Sequence, residues 1–186
     1  MLLIFVCFII KIGDYIKLTY KELDLTKEKD IRTMNRILSF DTNKNCFGDY
    51  DFYKVADEYI NLAIYIKNKL IGYVGFSYLD EIEKLKYTIT ICIKEDYQGQ
   101  GIGDIVLKQT LNTLFNDYNL IAVNVSVVED NGKCNKLLIK NNFHRMDYED
   151  EFLRNGNNIK LINYMYTDKD YVENEDTLKI YKKITH

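Results

Sequence analysis

The chain has no proline among its 186 residues. Proline normally marks turns and helix ends, so element boundaries must be predicted from hydrophobic spacing and from glycine and asparagine. No repeat and no low-complexity linker is present. With 47% hydrophobic and 28% charged residues, the composition predicts one soluble α/β domain with a sizeable core. We place this domain at residues 15–166, between an apolar N-terminal extension (1–14) and a charged C-terminal tail (167–186).

Metal-binding side chains are scarce. Only two histidines occur, and no pair of cysteines has the CxxC spacing of a zinc site. The sequence therefore predicts no metal. Scattered cysteines also predict no disulfide framework, so we expect a reducing compartment and a cytoplasmic protein. The residues concerned are His144, His186, Cys7, Cys46, Cys92 and Cys134.

Charge and hydropathy disfavour two classes of partner. The net charge of −3 argues against nucleic acid, whose phosphates attract basic proteins. Residues 1–10 are almost wholly apolar, but this run is too short to span a bilayer. It lacks the basic segment before it and the small-residue cleavage site after it that a secretory signal needs. We therefore predict no membrane span, and either an extra strand or an upstream start of little functional weight.

Glycines at alternate positions follow a strongly apolar stretch. Residues 89–93 have the pattern of a buried strand, and a helix is predicted from Ile102. Between and beside them, Gly99, Gly101 and Gly103 have no Cβ atom, so peptide N–H groups can close on an anion. The helix adds free N–H donors and the positive end of its dipole. This arrangement is typical of phosphate sites, although a glycine-rich turn without a ligand gives the same pattern.

The glycine spacing excludes two familiar nucleotide motifs. A dinucleotide fold needs G-x-G-x-x-G and a Walker loop needs G-x-x-x-x-G-K-[ST], and neither occurs here. Residues 98–103 instead have the sequence Gln-Gly-Gln-Gly-Ile-Gly, and residues 131–143 have the pattern N-x-x-C-x-x-L-L-x-K-x-N-F. Both segments resemble motifs of the GNAT superfamily of acyl-CoA-dependent N-acetyltransferases. The resemblance is strongest to the branch that includes ribosomal-protein N-terminal acetyltransferases, and it extends over about residues 15–166.

This resemblance implies the GNAT fold, an α/β (α+β) architecture. Its central sheet is mixed and mostly antiparallel, with about seven strands flanked by about four helices. The predicted element order, β-α-α-β-β-β-α-β-α-β-β, agrees with it. We expect strands at 16–20, 63–66, 70–78, 85–93, 121–128, 143–148 and 159–166. We expect helices after a cap at Thr26, at 52–60, at 102–118 and at 133–140, with a hairpin turn at Asn68 and Lys69.

The resemblance also implies acetyl-CoA as co-substrate and suggests which residues bind it. Backbone N–H groups at the end of the fourth strand would bind the pantetheine arm, and one of them would polarise the acetyl carbonyl. The glycine loop would bind the pyrophosphate, and the amide of Asn131 would bond the pantetheine. Asn131 can equally be a turn or helix-cap residue, and both roles can hold. The strand residues are Ile91, Cys92 and Ile93; the loop residues are Gln98, Gly99, Gln100, Gly101, Ile102 and Gly103.

Acid and base groups are harder to assign. Many relatives have a tyrosine as general acid where this chain has Leu138, and relatives of the N-terminal branch often have serine where it has Cys134. A thiol has a pKa of about 8.5, so Cys134 can protonate the departing thiolate. The alternative is that Cys134 only packs, with water or a tyrosine such as Tyr148 or Tyr164 as donor. Relatives often have Glu in place of Thr88, so a chain of waters is the expected base.

Two further positions depart from the family pattern. Glu95 stands where proline is frequent, and Asn142 stands where glycine is frequent. Neither change removes the phosphate loop. Asparagine adopts a positive φ more readily than most residues, so position 142 can keep the backbone of a glycine.

The acceptor side is expected to be lined by two acidic loops, residues 39–51 and 148–158. Such a lining suits a cationic primary amine: a peptide or protein N-terminus, a polyamine or another small amine. Ordinary surface charge gives the same pattern. The sequence thus predicts direct acetyl transfer to an amine in a ternary complex; the alternative is a GNAT-like module that binds acyl-CoA or a protein partner without turnover. A homodimer is compatible with either. The acidic residues are Asp41, Asp49, Asp51, Glu149, Asp150 and Glu151.

Overall fold

The computed structural model describes residues 6–10, 16–40, 60–78, 86–118, 120–154 and 156–169. Within these ranges the chain forms eight β-strands and three α-helices. In chain order they are β1 (Val6–Ile10), β2 (Ile16–Glu22), α1 (Glu28–Leu38), β3 (Ile60–Ile66), β4 (Lys69–Tyr78), β5 (Lys86–Ile93), α2 (Ile102–Asp117), β6 (Ala122–Val128), α3 (Gly132–Lys140), β7 (His144–Arg154) and β8 (Asn157–Thr167). The helix predicted at 52–60 lies outside the described residues, apart from Ile60, which begins β3.

The strands form one sheet in the order β1-β2-β3-β4-β5-β6-β8-β7. Neighbouring strands are antiparallel except for β5 and β6, which are parallel. This confirms the predicted architecture, a mixed and mostly antiparallel sheet. The eighth strand is β1, which pairs with β2 from Val6 opposite Tyr20 to Ile10 opposite Ile16. The apolar N-terminal extension therefore adds a strand at the edge of the sheet.

The predicted Thr26 cap of α1 is wrong. The N-cap residue is Lys27, whose side chain makes no capping hydrogen bond. Thr26 instead donates its backbone N–H and its hydroxyl to Asp24 Oδ1, at 3.0 and 2.6 Å. Asp24 thus closes a turn ahead of the helix, a local bond that competes with capping. Hydrogen bonds from Lys27 and Thr26 lower the pKa of Asp24 to about 2.

The turn between β3 and β4 lies one residue earlier than predicted. Lys67 and Asn68 occupy it, both with positive φ, at 46° and 65°. Two successive left-handed residues are typical of a type I′ turn, whose twist matches that of the flanking strands. Lys69 is already the first residue of β4.

The β7–β8 hairpin is longer than predicted. The sequence predicts a loop at 148–158, but β7 continues to Arg154 and β8 begins at Asn157. The acidic residues Glu149, Asp150 and Glu151 therefore belong to the edge strand of the sheet and not to a loop. Charged side chains at such an edge discourage pairing with another chain.

Apolar side chains pack on both sides of the sheet. On one side, which we call the α2 face, Leu107, Leu114 and Leu138 of α2 and α3 pack against β5, β6 and β8. On the other side, the α1 face, Met34 and Ile37 of α1 pack over β3, β4 and the end of β5. All five of these side chains are at most 2% exposed. The α2 face carries the larger apolar cluster, and it is the side from which α2 reaches the end of β5.

Candidate active site

Strands β5 and β6 separate halfway along their length. Their parallel pairing ends at Thr88 opposite Asn124. Beyond that pair, within the described ranges, β5 is bonded to β4 and β6 to β8, but not to each other. The two facing edges therefore have no strand opposite them over this stretch, which leaves space for an extended ligand. We call this opening the cleft, and the three strand residues assigned to the co-substrate lie along it: Ile91, Cys92 and Ile93.

The glycine loop follows the end of β5 and leads into α2. Gly99 and Gly101 have φ values of 72° and 78°, in the left-handed region that favours glycine. A Cβ atom at either position would meet no atom within 4 Å, so glycine is required there by the backbone conformation and not by lack of space. Gly103 differs, because it lies inside α2 and an added Cβ would sit 3.6 Å from Leu137 Cδ2, an ordinary contact.

The N-terminus of α2 supplies the donors that an anion needs. The first helical hydrogen bond runs from Ile105 N–H to Gly101 O, at 3.2 Å. The N–H groups of Ile102, Gly103 and Asp104 precede it and have no acceptor within the helix. They lie at the positive end of the helix dipole. The loop and helix therefore fit a pyrophosphate group.

A carboxylate in the first turn of α2 would repel such an anion, but its charge is compensated. Asp104 accepts a hydrogen bond from Asn141 Nδ2 at 2.8 Å. It also pairs with Lys108 at 2.9 Å and Lys140 at 3.4 Å. Burial alone would raise the pKa of Asp104, but the bonds from Asn141 and Lys108 and the charges of both lysines hold it below its usual value. Asp104 thereby ties α2 to the end of α3.

The two glutamines of the loop brace its backbone. Gln98 Nε2 donates to Ile93 O at 2.9 Å, and Gln100 Nε2 donates to Asp96 O at 2.9 Å. The first bond holds the loop against the last residue of β5, next to the cleft. These side chains thus shape the loop, and any contribution to phosphate binding from Gln98 or Gln100 comes through the backbone.

Helix α3 begins at Gly132 and is capped by Asn131. Asn131 Oδ1 accepts a hydrogen bond from Cys134 N–H at 3.1 Å. The helix-cap role considered for Asn131 is therefore present, while its bond to pantetheine stays a prediction. At the other end, Asn142 has a φ of 62°, and Phe143 N–H bonds back to Leu138 O at 3.0 Å. Asparagine thus takes the left-handed position where relatives have glycine, as predicted.

The candidate proton donors lie at different places. Cys134 is half-buried and packs against the core of the α2 face, as do Ile91 and Val125, which lie on opposite sides of the cleft. Tyr164 of β8 is a close neighbour of Cys134, and its hydroxyl donates to Asn135 Oδ1 at 2.9 Å. Burial, opposed by Arg145 and reinforced by Cys134, raises the pKa of Tyr164. Tyr148 is 48% exposed on β7. Of the two tyrosines, Tyr164 is the one beside Cys134.

The predicted acidic lining is only partly within the described residues. Asp41, Asp49 and Asp51 lie outside them. On β7, Glu149 pairs with Arg145 at 2.6 Å and with Lys160 at 3.9 Å. Asp150 accepts a hydrogen bond from Asn163 Nδ2 at 2.8 Å. The carboxylates of β7 therefore differ in their surroundings, since one has cationic partners and one faces an amide.

Three further observations on the described residues concern disulfide bonds, metal-binding groups and membrane-spanning helices. Cys92 and Cys134 form no disulfide bond. In this part of the chain, no three His, Cys, Asp or Glu side chains come together as a metal-binding group. Nor does any helix described here have the length and apolarity to cross a membrane.

The chain belongs to the GNAT family of acetyltransferases. The family model described as Acetyltransferase (GNAT) family matches residues 29–143, which include the cleft, the glycine loop and α3. The protein is thus an acyl-CoA N-acyltransferase of the family that uses acetyl-CoA. No curated protein is significantly similar to it in sequence.

Solved structures of acetyltransferases share this fold. A probable acetyltransferase superposes with a TM-score of 0.67 at 17% identity, over 88% of this chain and 99% of its own. A ribosomal-protein alanine acetyltransferase from Vibrio fischeri superposes with a TM-score of 0.67 at 15% identity, over 89% of this chain and 100% of its own. The spermidine N-acetyltransferase from Vibrio cholerae, in complex with CoA and spermine, superposes with a TM-score of 0.68 at 19% identity, over 84% of this chain and 98% of its own. At these identities the similarity establishes the fold.

Proposed function

We propose that the protein transfers an acetyl group from acetyl-CoA to a primary amine by direct attack within a ternary complex. The acceptor is a peptide or protein N-terminus, a polyamine or another small cationic amine. The observation that carries this proposal is the cleft between β5 and β6, which opens beside the glycine loop and the N-terminus of α2. An extended pantetheine arm can bond the edge of β5 that faces the cleft, while the pyrophosphate meets the N–H groups of the loop.

In this proposal the backbone of β5 performs two tasks. Those backbone groups of the Ile91–Ile93 segment that point into the cleft bind the pantetheine in the way that a neighbouring strand would. One of their N–H groups also donates to the acetyl oxygen, on which negative charge develops as the amine attacks. Asn131 adds its amide to the pantetheine contacts while it caps α3. The loop residues from Gln98 to Gly103 bind the pyrophosphate through their N–H groups.

The reaction then needs two proton transfers. The neutral amine attacks the carbonyl carbon, the C–S bond breaks, and the electron pair leaves with the CoA sulfur. Cys134 gives its thiol proton to that sulfur, and the amine proton returns to the Cys134 thiolate through water. The support for Cys134 is its position, half-buried at the start of α3 and in the same cluster as Ile91.

Turnover with a panel of amines tests the function. We expect free CoA thiol to be released from acetyl-CoA in the presence of spermidine or of a peptide with a free N-terminal alanine. The same peptide with a blocked N-terminus is the matched control and should release none. A protein that binds acetyl-CoA but turns over no amine would be the non-catalytic module, the reading that Leu138 in place of the family tyrosine favours.

The glycine loop is tested separately by acetyl-CoA binding. Gly101→Val should weaken binding at least tenfold, because two or more charge-assisted hydrogen bonds to phosphate would be lost. Gly156→Val is the matched control. Gly156 has a φ of 77° and, like Gly101, no atom within 4 Å of an added Cβ, so both variants impose the same backbone strain. Equal affinities of the two variants in calorimetry would remove the phosphate site from the loop.

A further inference from the structure

We propose that Ser126 binds the amino group of the acceptor, and that Asn163 and Asp150 orient its hydroxyl for this purpose. The inference rests on the proposed function, since it assigns the acceptor end of the same reaction. It starts from the α1 face of β5, β6 and β8, where the side chains beside the cleft are short and polar.

Ser126 lies at the edge of the cleft. Thr88 and Asn124 form the last pair between β5 and β6, and every second residue of a strand points to the same face. Thr90 and Ser126, two positions further along, therefore share the face of that pair and lie about 7 Å beyond it. One is on each side of the cleft. An acetyl carbonyl bonded to the backbone of β5 would lie between them.

A chain of hydrogen bonds sets the direction of the Ser126 hydroxyl. Ser126 Oγ donates to Asn163 Oδ1 at 2.6 Å, and Asn163 Nδ2 donates to Asp150 Oδ2 at 2.8 Å. An ionised carboxylate can only accept, so Asp150 determines which end of the Asn163 amide faces which neighbour. Asn163 is 4% exposed, so its amide is held by packing as well. The hydroxyl proton of Ser126 is consequently committed to Asn163.

One exposed oxygen acceptor, on Ser126, then lies at the edge of the cleft, and a second, on Asn124, lies deeper on the same face of β6. Ser126 is exposed, and with its proton engaged it offers only lone pairs to a ligand. Asn124 Oδ1, two residues earlier on the same face, is buried and has no hydrogen-bond partner in the ranges that the structure describes. Unpaired buried acceptors call for a donor. A primary amine or its ammonium form carries two or three N–H donors and can satisfy both oxygens, whereas a hydroxyl carries one.

Steady-state kinetics with the amine that the wild-type protein uses best test the inference. Ser126→Ala removes the acceptor oxygen and should lower kcat/KM for the amine about tenfold. The KM for acetyl-CoA should stay at its wild-type value, while the melting temperature should fall slightly because Asn163 Oδ1 loses the hydrogen bond from Ser126. Ser126→Thr keeps a hydroxyl on a strand-compatible side chain and should recover most of the activity. Asp150→Asn lets the Asn163 amide turn round, so we expect a smaller loss, about threefold.

The control and the outcomes separate this inference from the proposed function. Thr113→Val also removes a hydroxyl, one that donates to Gln109 O at 3.1 Å within α2. This variant should change neither kcat/KM for the amine nor the KM for acetyl-CoA. An active enzyme whose amine kcat/KM is unchanged in Ser126→Ala overturns the inference and leaves the proposed function intact. A raised KM for acetyl-CoA would show a structural role and also overturn it. A wild-type protein that acetylates no amine refutes both.

Discussion

The two faces of the sheet beside the cleft carry different kinds of side chain, although both belong to the same three strands. On the α2 face they are apolar or aromatic and buried. On the α1 face, at the positions around the end of the β5–β6 pairing, they are short and polar. Because neighbours along a strand point in opposite directions, the two faces differ at alternate residues. The α2-face residues are Tyr87, Ile89, Val123, Val127, Ile162, Tyr164 and Tyr166; the α1-face residues are Thr88, Thr90, Asn124, Ser126 and Asn163.

Within each of these strands, residues that stabilise the fold therefore alternate with residues that are available to bind a ligand. Apolar burial on the α2 face contributes about 25 cal/mol per Å² to the stability of the fold. Hydroxyl and amide groups on the α1 face contribute far less apolar burial, and among the described residues Asn124 Oδ1 remains without a hydrogen-bond partner. A shift of one residue in the register of β6 would exchange the two faces. The strong apolar packing of one face therefore fixes the position of the polar groups on the other.

The largest expected effect comes from Cys134, the one group on the α2 side to which we assign chemistry. Cys134→Ala should lower kcat and kcat/KM together by about 10²–10⁴-fold, the usual range for general acid–base catalysis. The affinity for acetyl-CoA should change little, because the thiol acts mainly in the transition state. Cys134→Ser should keep more activity than Cys134→Ala, since a hydroxyl can still donate. Single-turnover kinetics would measure the chemical step directly.

Retention of wild-type kcat in Cys134→Ala, with chemistry rate-limiting, would make Cys134 a packing residue. The side chains of the α2 face would then contribute to stability alone, and the functional difference between the two faces would be larger. Tyr164 would be the next candidate donor, and Tyr164→Phe would test it.

The next effect compares two adjacent residues of β5 on opposite faces. Ile89 is 2% exposed on the α2 face, so Ile89→Ala should lower the free energy of unfolding by about 2–5 kcal/mol. Thr90→Ala, on the α1 face, should cost about 1 kcal/mol or less. Urea denaturation with a common m-value would measure both. Similar costs for the two variants would show that the α1 face is as important for folding as the α2 face.

The smallest effect concerns Asp104, whose charge serves the packing of α2 on α3. The folded-state pKa of Asp104 lies below the ordinary value of 3.8. Its ionised form therefore adds stability in full above about pH 4, and this contribution is lost as pH falls through the lowered pKa. We expect Asp104→Asn to cost about 0.5–1 kcal/mol at pH 7, since the pairs are partly exposed. The cost should vanish in strong acid; a pH-independent cost would contradict an ionic origin.

Local sequence patterns determined most of the secondary structure and the family. The apolar alternation before residue 94, the glycine spacing at 98–103 and the helical period after Ile102 each act over a few neighbouring residues. Propensity and periodicity capture interactions of that range. The same holds for Asn142, where the left-handed backbone follows from its place at the end of α3. Thr26 shows where local signals compete, because Asp24 two residues earlier takes the hydroxyl that would have capped α1.

Only the tertiary structure decided which polar groups meet beside the cleft. Ser126 is 37 residues from Asn163 in the chain, and Asn163 is 13 residues from Asp150. These contacts depend on the order and register of β6, β8 and β7, which apolar packing over the whole sheet selects. A sequence pattern identifies an acidic stretch at 149–151, but not that Asp150 turns towards an amide while Glu149 pairs with Arg145. Partners across strands are fixed by long-range register, and no local signal carries that information.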